Sequence, residues 1–183
     1  VTDPHLFTTV HHEAGHAVVA LNLGGTVEGI ELLDPDLDPL ERWAVCRQVA
    51  TRPGDWLDIA SYCLAGPVAE YLSEQGGPGE DEIELFNELD EWLDNCEEDD
   101  DFAEARHYLA LTLGIDWEDT ASSYEQTAAW NFLTCRVYRL VVTYWSVIEQ
   151  VGAELLRDGS VTGDRLQVIV ANTVKISGDG ASS

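Results

Sequence analysis

The run His11-His12-Glu13-Ala14-Gly15-His16 constrains this chain most, because it lies inside an apolar repeat of helical period. Leu6, Val10, Ala14, Ala17, Val18 and Leu21 recur between Asp3-Pro4, a helix start, and Gly24-Gly25, a stop. The segment therefore reads as a buried helix. On it His12 and His16, at i and i+4, project from one side, about 40° apart and roughly opposite the Leu6, Val10, Val18 and Leu21 stripe. Imidazoles at that spacing can both reach one zinc ion at about 2.0–2.1 Å. Glu13, next to the first of them, can take a proton from a water activated by the metal and pass it to a leaving amine. In a chain with five histidines, random order yields HExxH roughly once in a hundred such chains. The competing reading is a pair of histidines on an amphipathic helix with no metal. His11, five residues before His16, falls off the shared face and reads as a flanking residue. His5 and His107 have no comparable partners.

Val27 to Leu33 and Trp43 to Ala50 alternate apolar and polar residues around a turn rich in Asp and Pro, the pattern of a small two-stranded β element in the N-terminal third. Helical period returns with Leu57, Ala60, Leu64, Val68 and Leu72, where Gly66-Pro67 is expected to bend or divide the helix, and Gln75 to Gly79 ends it. Phe102, Ala105, Leu109 and Leu113 mark another helix. It starts from the acid run Glu97 to Asp101, where a helix N-terminus favours negative charge. A further helical block is expected from about Ala121 to Leu156 and a short helix around Asp164 to Ala171. The predicted fold is mainly α (α+β), a single domain over 1–175 with 176–183 as a disordered tail; 183 residues suffice for one core. Cys46, Cys63, Cys96 and Cys135 contain no CxxC pair and are expected as free, buried thiols.

With 35 acidic residues against nine basic ones, the formal charge is -26. Such a surface repels nucleic-acid phosphates and anionic membranes, so neither is expected as a partner. No run of eighteen apolar residues and no basic start before an apolar stretch occurs in the sequence, and the expected location is cytoplasmic. The acids are uneven. Between Arg52 and Arg106 there is no Lys or Arg, while 18 of the 35 acids fall there, which predicts a solvated acidic face with some carboxylates held in the fold.

His12-Glu13-Ala14-Gly15-His16-Ala17-Val18 resembles the HEAGHA signature of the FtsH-type ATP-dependent zinc metalloproteases. Val27 to Leu33 stands in the place of the strand after that helix. Leu64-Ala65-Gly66-Pro67-Val68-Ala69-Glu70 is similar to the family's LAGRAAE segment, and Asp100-Asp101-Phe102-Ala103-Glu104-Ala105 to its NDLxxA segment. Trp145, Ile148, Leu155-Leu156 and Val161-Thr162-Gly163 are similar to its closing helical pair. The likeness spans nearly the whole chain, although only the first motif is specific by itself. It implies a zincin-like helical peptidase domain in which Zn2+ is held by His12, His16 and Asp101 and Glu13 is catalytic. The residues agree on Asp101, which shares a helix face with Ala105 and Tyr108, whereas Asp100 shares one with Glu104 and His107 and should face water. Asp99, Asp100 and Glu104 are alternative ligands; so is Glu70, which otherwise reads as a helix-surface carboxylate.

Departures from the family shape the functional expectation. The sequence has no GxxxxGK[ST] phosphate loop and no membrane span, Pro67 replaces the family's usual Arg, and the acidic, helical stretch from about Glu80 to Glu98 is longer than the loop there. The expected function is a zinc-dependent endopeptidase that hydrolyses peptide bonds in flexible or unfolded polypeptides without ATP. Two other classes stand beside it: a catalytically idle zinc-binding regulatory or interaction protein on the same scaffold, and an acidic DNA mimic that occupies a basic partner. A homo-oligomer is compatible with the resemblance, because relatives form rings, provided the charge is kept away from the subunit contact.

Overall fold

The computed structural model describes residues 4–33, 44–50, 55–79, 88–89, 91–93, 100–117 and 123–179. Helix α1, Pro4–Asn22, is buried along both the apolar stripe and much of the opposite side: Val10, His11, Ala14, His16, Ala17, Val18, Val19 and Ala20 are all buried. Its neighbour α2, Trp56–Glu74, explains why. A Cβ on Gly15 would stand 2.6 Å from the Ala65 carbonyl oxygen and 2.7 Å from Ala69 Cβ, so the two helices cross in near-backbone contact. Only small residues permit that approach.

The expected division of α2 at Gly66-Pro67 does not occur; one helix runs through both residues. Proline removes a single helical N–H. Burial of Ala60, Cys63 and Leu64 before it, and of Val68, Ala69 and Leu72 after it, holds both halves in one element.

Strands β1, Thr26–Leu32, and β2, Ala44–Ala50, pair antiparallel as the alternation predicts. A third strand, β3, Ser160–Thr162, joins β1 on its other side, so the sheet is three-stranded, in the order β2-β1-β3, rather than two-stranded. Three residues are too few for a readable alternation. What places β3 is a left-handed Gly159 (φ 75°), which caps the preceding helix and accepts a hydrogen bond from the Leu32 N–H at 2.8 Å.

Helix α3, Asp100–Leu113, buries Phe102, Ala105 and Leu109, and Asp100 and Asp101 lie in its first turn. The block expected from Ala121 to Leu156 is two helices, α4, Ser123–Thr143, and α5, Trp145–Asp158, parted at Tyr144. Periodicity persists across the break, but the two halves have different supports. Arg136 of α4 donates to Ser61 Oγ (3.0 Å) and Asp58 Oδ1 (2.6 Å) on α2. In α5, Gly152 faces Val10 and His11 of α1. The last helix, α6, Gly163–Asp179, is longer than the short helix expected and overlaps the start of the expected tail at 176; residues 180–183 lie outside the described residues. Arg165 of α6 forms two 2.7 Å bonds with the buried Glu154 carboxylate of α5, holding its acid below the usual carboxylate range. Cys46, Cys63 and Cys135 are free thiols, with Cys63 fully buried; Cys96 and most of the acidic stretch from Glu80 to Glu98 lie outside the described residues.

Candidate metal centre

The α1–α2 crossing sets His12 and His16 over Gly66, and α3 delivers Asp101 from a third direction. His12 Nε2, His16 Nε2 and Asp101 Oδ2 converge: the two nitrogens are 3.0 Å apart, and the carboxylate oxygen is 3.0 Å from the first and 3.2 Å from the second. Tetrahedral zinc with bonds of about 2.0–2.1 Å separates its ligand atoms by about 3.3 Å, so this triangle fits such an ion with a slight expansion. The three residues form a group that can hold a metal ion, open towards a cleft on one side.

The other faces of the ligands are fastened. His12 Nδ1 donates to Glu70 Oε2 at 2.8 Å, and His16 Nδ1 donates to the Tyr62 carbonyl at 2.8 Å. With Nδ1 committed as donor, each ring presents Nε2 to the centre. Gly66 completes the cradle. A Cβ there would fall 2.7 Å from His12 Nε2 and 2.6 Å from His16 Cε1, so any larger residue would fill the space where the ligands meet. This explains a glycine in the middle of a buried helix, despite its cost to helix stability.

The same contacts set the electrostatics of the centre. Burial opposes a charge on His12, but hydrogen bonds with Asp101 and Glu70 outweigh it, and its pKa is pushed up to about 10. Burial also works against a charged Asp101, yet its contacts with His12 and His16 hold its carboxyl well below the usual range. In the metal-free protein a proton on His12 thus sits between two carboxylates, occupying the place of a cation.

Glu13 is half-buried at the edge of the same cleft, and the Cys46 N–H of β2 donates to its Oε2 at 2.6 Å. Thr9, Ala44, Val45, Cys46, Tyr62 and Asp100 line the rest of this space, a cleft of about 500 Å³. Burial pushes the Cys46 thiol and the Tyr62 phenol upward, so both stay neutral. The Tyr62 ring packs edge-on against His16, with centroids 5.7 Å apart.

Of the expected site residues, His12, Glu13, His16 and Asp101 come together. Asp100 is exposed at the rim, Glu104 is exposed and accepts from Cys63 Sγ at 3.6 Å, and Asp99 lies outside the described residues. The reading of Glu70 as a surface carboxylate needs correction, because it anchors His12 from behind. His11 is no ligand. It donates from Nδ1 to the Phe7 carbonyl (2.8 Å), stacks on Trp145 of α5 (5.6 Å), and burial lowers its pKa, so it is a neutral packing residue. The sequence reading did not identify Gly66, the Tyr62 carbonyl or the Cys46 N–H as parts of the site. Gly66 carried a readable signal, an unexplained helix-interior glycine four residues before Glu70; backbone groups carry none.

No protein-family model matches this chain, and no curated protein matches it either. Among the described residues no helix is long and apolar enough to cross a membrane.

Proposed function

We propose that this protein is a zinc-dependent endopeptidase, related to the FtsH-type peptidase domain, that acts on flexible or unfolded polypeptides without ATP. The observation that carries the reading is the convergence of His12, His16 and Asp101 with Glu13 on the rim of the same cleft. Two imidazoles and a carboxylate suit zinc, and three protein ligands leave a coordination position for water or substrate. Bound there, zinc supplies Lewis-acid polarisation of the scissile carbonyl and lowers the pKa of an attacking water.

The chain's own groups do the rest. Glu70 and the Tyr62 carbonyl fix the two imidazole orientations, so the ligands are set before metal arrives. The Cys46 N–H holds one oxygen of Glu13, leaving its carboxylate to accept the proton of the attacking water as the new C–O bond forms. Glu13 then returns that proton to the departing amine nitrogen as the C–N bond breaks. Val45 and its neighbours on β2 form the wall along which an extended peptide lies.

The deciding experiment is Glu13→Gln in metal-loaded protein, with an unfolded protein as substrate. Zinc content should remain that of the parent while cleavage falls by about 10²–10⁴-fold. Equal cleavage by variant and parent would disprove the role of Glu13. A zinc-loaded parent that cleaves no unfolded polypeptide would instead make this an idle metal-binding protein.

A further inference from the structure

The outer face of α4 differs from the rest of this acidic chain. From residue 123 to 148 the sequence contains one acid, Glu125, against two cations, Arg136 and Arg139. Ala129, Trp130, Leu133, Thr134, Val137, Tyr138 and Val141 turn inward. The opposite side carries Glu125, Ala128, Phe132, Cys135 and Arg139, a row about 80° wide at 100° per residue. All are exposed except the half-buried Cys135, and Phe132 is 54% exposed although it is a large apolar side chain.

Two charges at the ends of this row have no ion pair among the described residues. Among the described residues, Arg47, Arg136, Arg157 and Arg165 each meet a carboxylate and Arg106 lies over the Trp130 ring, whereas the Arg139 guanidinium meets neither. Glu125 likewise has no ion pair among them. An arginine with no carboxylate partner among the described residues is notable in a chain whose acids outnumber its cations 35 to nine. The spacing is symmetric, since Glu125 and Arg139 each stand seven residues from Phe132, about 10.5 Å along the axis.

We propose that α4 pairs antiparallel with α4 of a second copy of this chain, about a two-fold axis at Phe132. The two Phe132 rings meet at the axis, Glu125 of each copy faces Arg139 of the other, and Ala128 and Cys135 let the helices approach. A two-fold contact must be self-complementary, and this row is: one acid and one base at equal distances from an apolar centre. Charge also selects the occupant, because two chains of -26 each can meet only where their surfaces are locally neutral. One helix pair buries less than the roughly 1,200 Å² or more of a stable interface, so the dimer is a weak, transient one. The proposal is independent of any peptidase activity.

The test is sedimentation equilibrium of the parent, Glu125→Arg, Arg139→Glu, the double swap and Phe132→Ala, at roughly 0.15 M salt, with circular dichroism confirming the fold. Each single charge variant sets like charges opposite one another and should weaken dimerisation about tenfold or more, as should Phe132→Ala. The double swap should return it to within about threefold of the parent, because the pair is re-formed with its ends exchanged. A parent that stays monomeric up to about 1 mM, single variants that dimerise like the parent, or a swap that restores nothing would each overturn the proposal.

Discussion

The candidate metal centre and the outer row of α4 treat charge in opposite ways. At the centre the part-buried charged groups are held by partners: His12 by Asp101 and Glu70, Asp101 by both histidines, Glu13 by a backbone N–H. On α4, Glu125 and Arg139 have no ion-pair partner among the described residues, and Phe132 faces solvent. The first region is determined from within the chain, because burial makes an unpaired charge expensive and drives each group to a partner. The second is left open by its own chain and is completed by another. A substitution at one should therefore leave the other unchanged.

The largest break is expected at Gly66. Gly66→Ala pushes a methyl between the two Nε2 atoms, and zinc content, measured by elemental analysis, should fall from near one per chain to near zero while the α4 dimer persists. Retention of a full equivalent of zinc would show that the cradle is looser than these distances state. Glu70→Gln is milder. It keeps the shape but weakens the acceptor behind His12, and competition against a chelator should read about a 10–100-fold loss of zinc affinity. Phe132→Ala sharpens the comparison from the other side, with about a tenfold weaker dimer and zinc affinity within error of the parent.

The smallest effect concerns protons. In the metal-free protein the folded-state pKa of His12 lies above its unfolded value, so the stability it contributes is complete below about pH 6.5 and is lost as pH rises towards 10. The depressed Asp101 acts in the opposite direction, its contribution being present above its unfolded pKa near 4 and lost only in stronger acid. The melting temperature of metal-free protein should therefore decline between pH 7 and 10 beyond the decline seen in His12→Ala. Zinc uptake at pH 8 should release about one proton per chain, read by calorimetry in buffers of different ionisation enthalpy. Uptake with no proton release would show that His12 is already neutral.

Much of this arrangement was legible in the residues. The spacing of His12, Glu13 and His16 is a property of one helix, and helical geometry alone places both imidazoles on one side. Asp101 could be preferred over Asp100 because the rotation of about 100° between successive helical residues separates a face shared with Ala105 and Tyr108 from a face that meets water. The elements were legible too, from α1 to the β1–β2 pair, because their apolar periods are strong. The joint at Tyr144 was not. Residues on both sides of it keep helical period, and the break appears only because α4 is tied to α2 while α5 lies against α1.

What the sequence determined by itself is local: which segments are helices or strands, and which side of α1 carries the histidines. Tertiary structure decided the remainder, because those choices depend on distances between segments far apart in the chain. The close crossing at Gly15 and Ala65 put Gly66 beneath the histidines and turned Glu70, a plausible surface acid by its own helix, into the carboxylate behind His12. The same packing faced Trp130 and Leu133 inward and left Phe132 outside. A short-range period reports one helix's own geometry; burial is set by what packs against it, and only the folded chain supplies that neighbour.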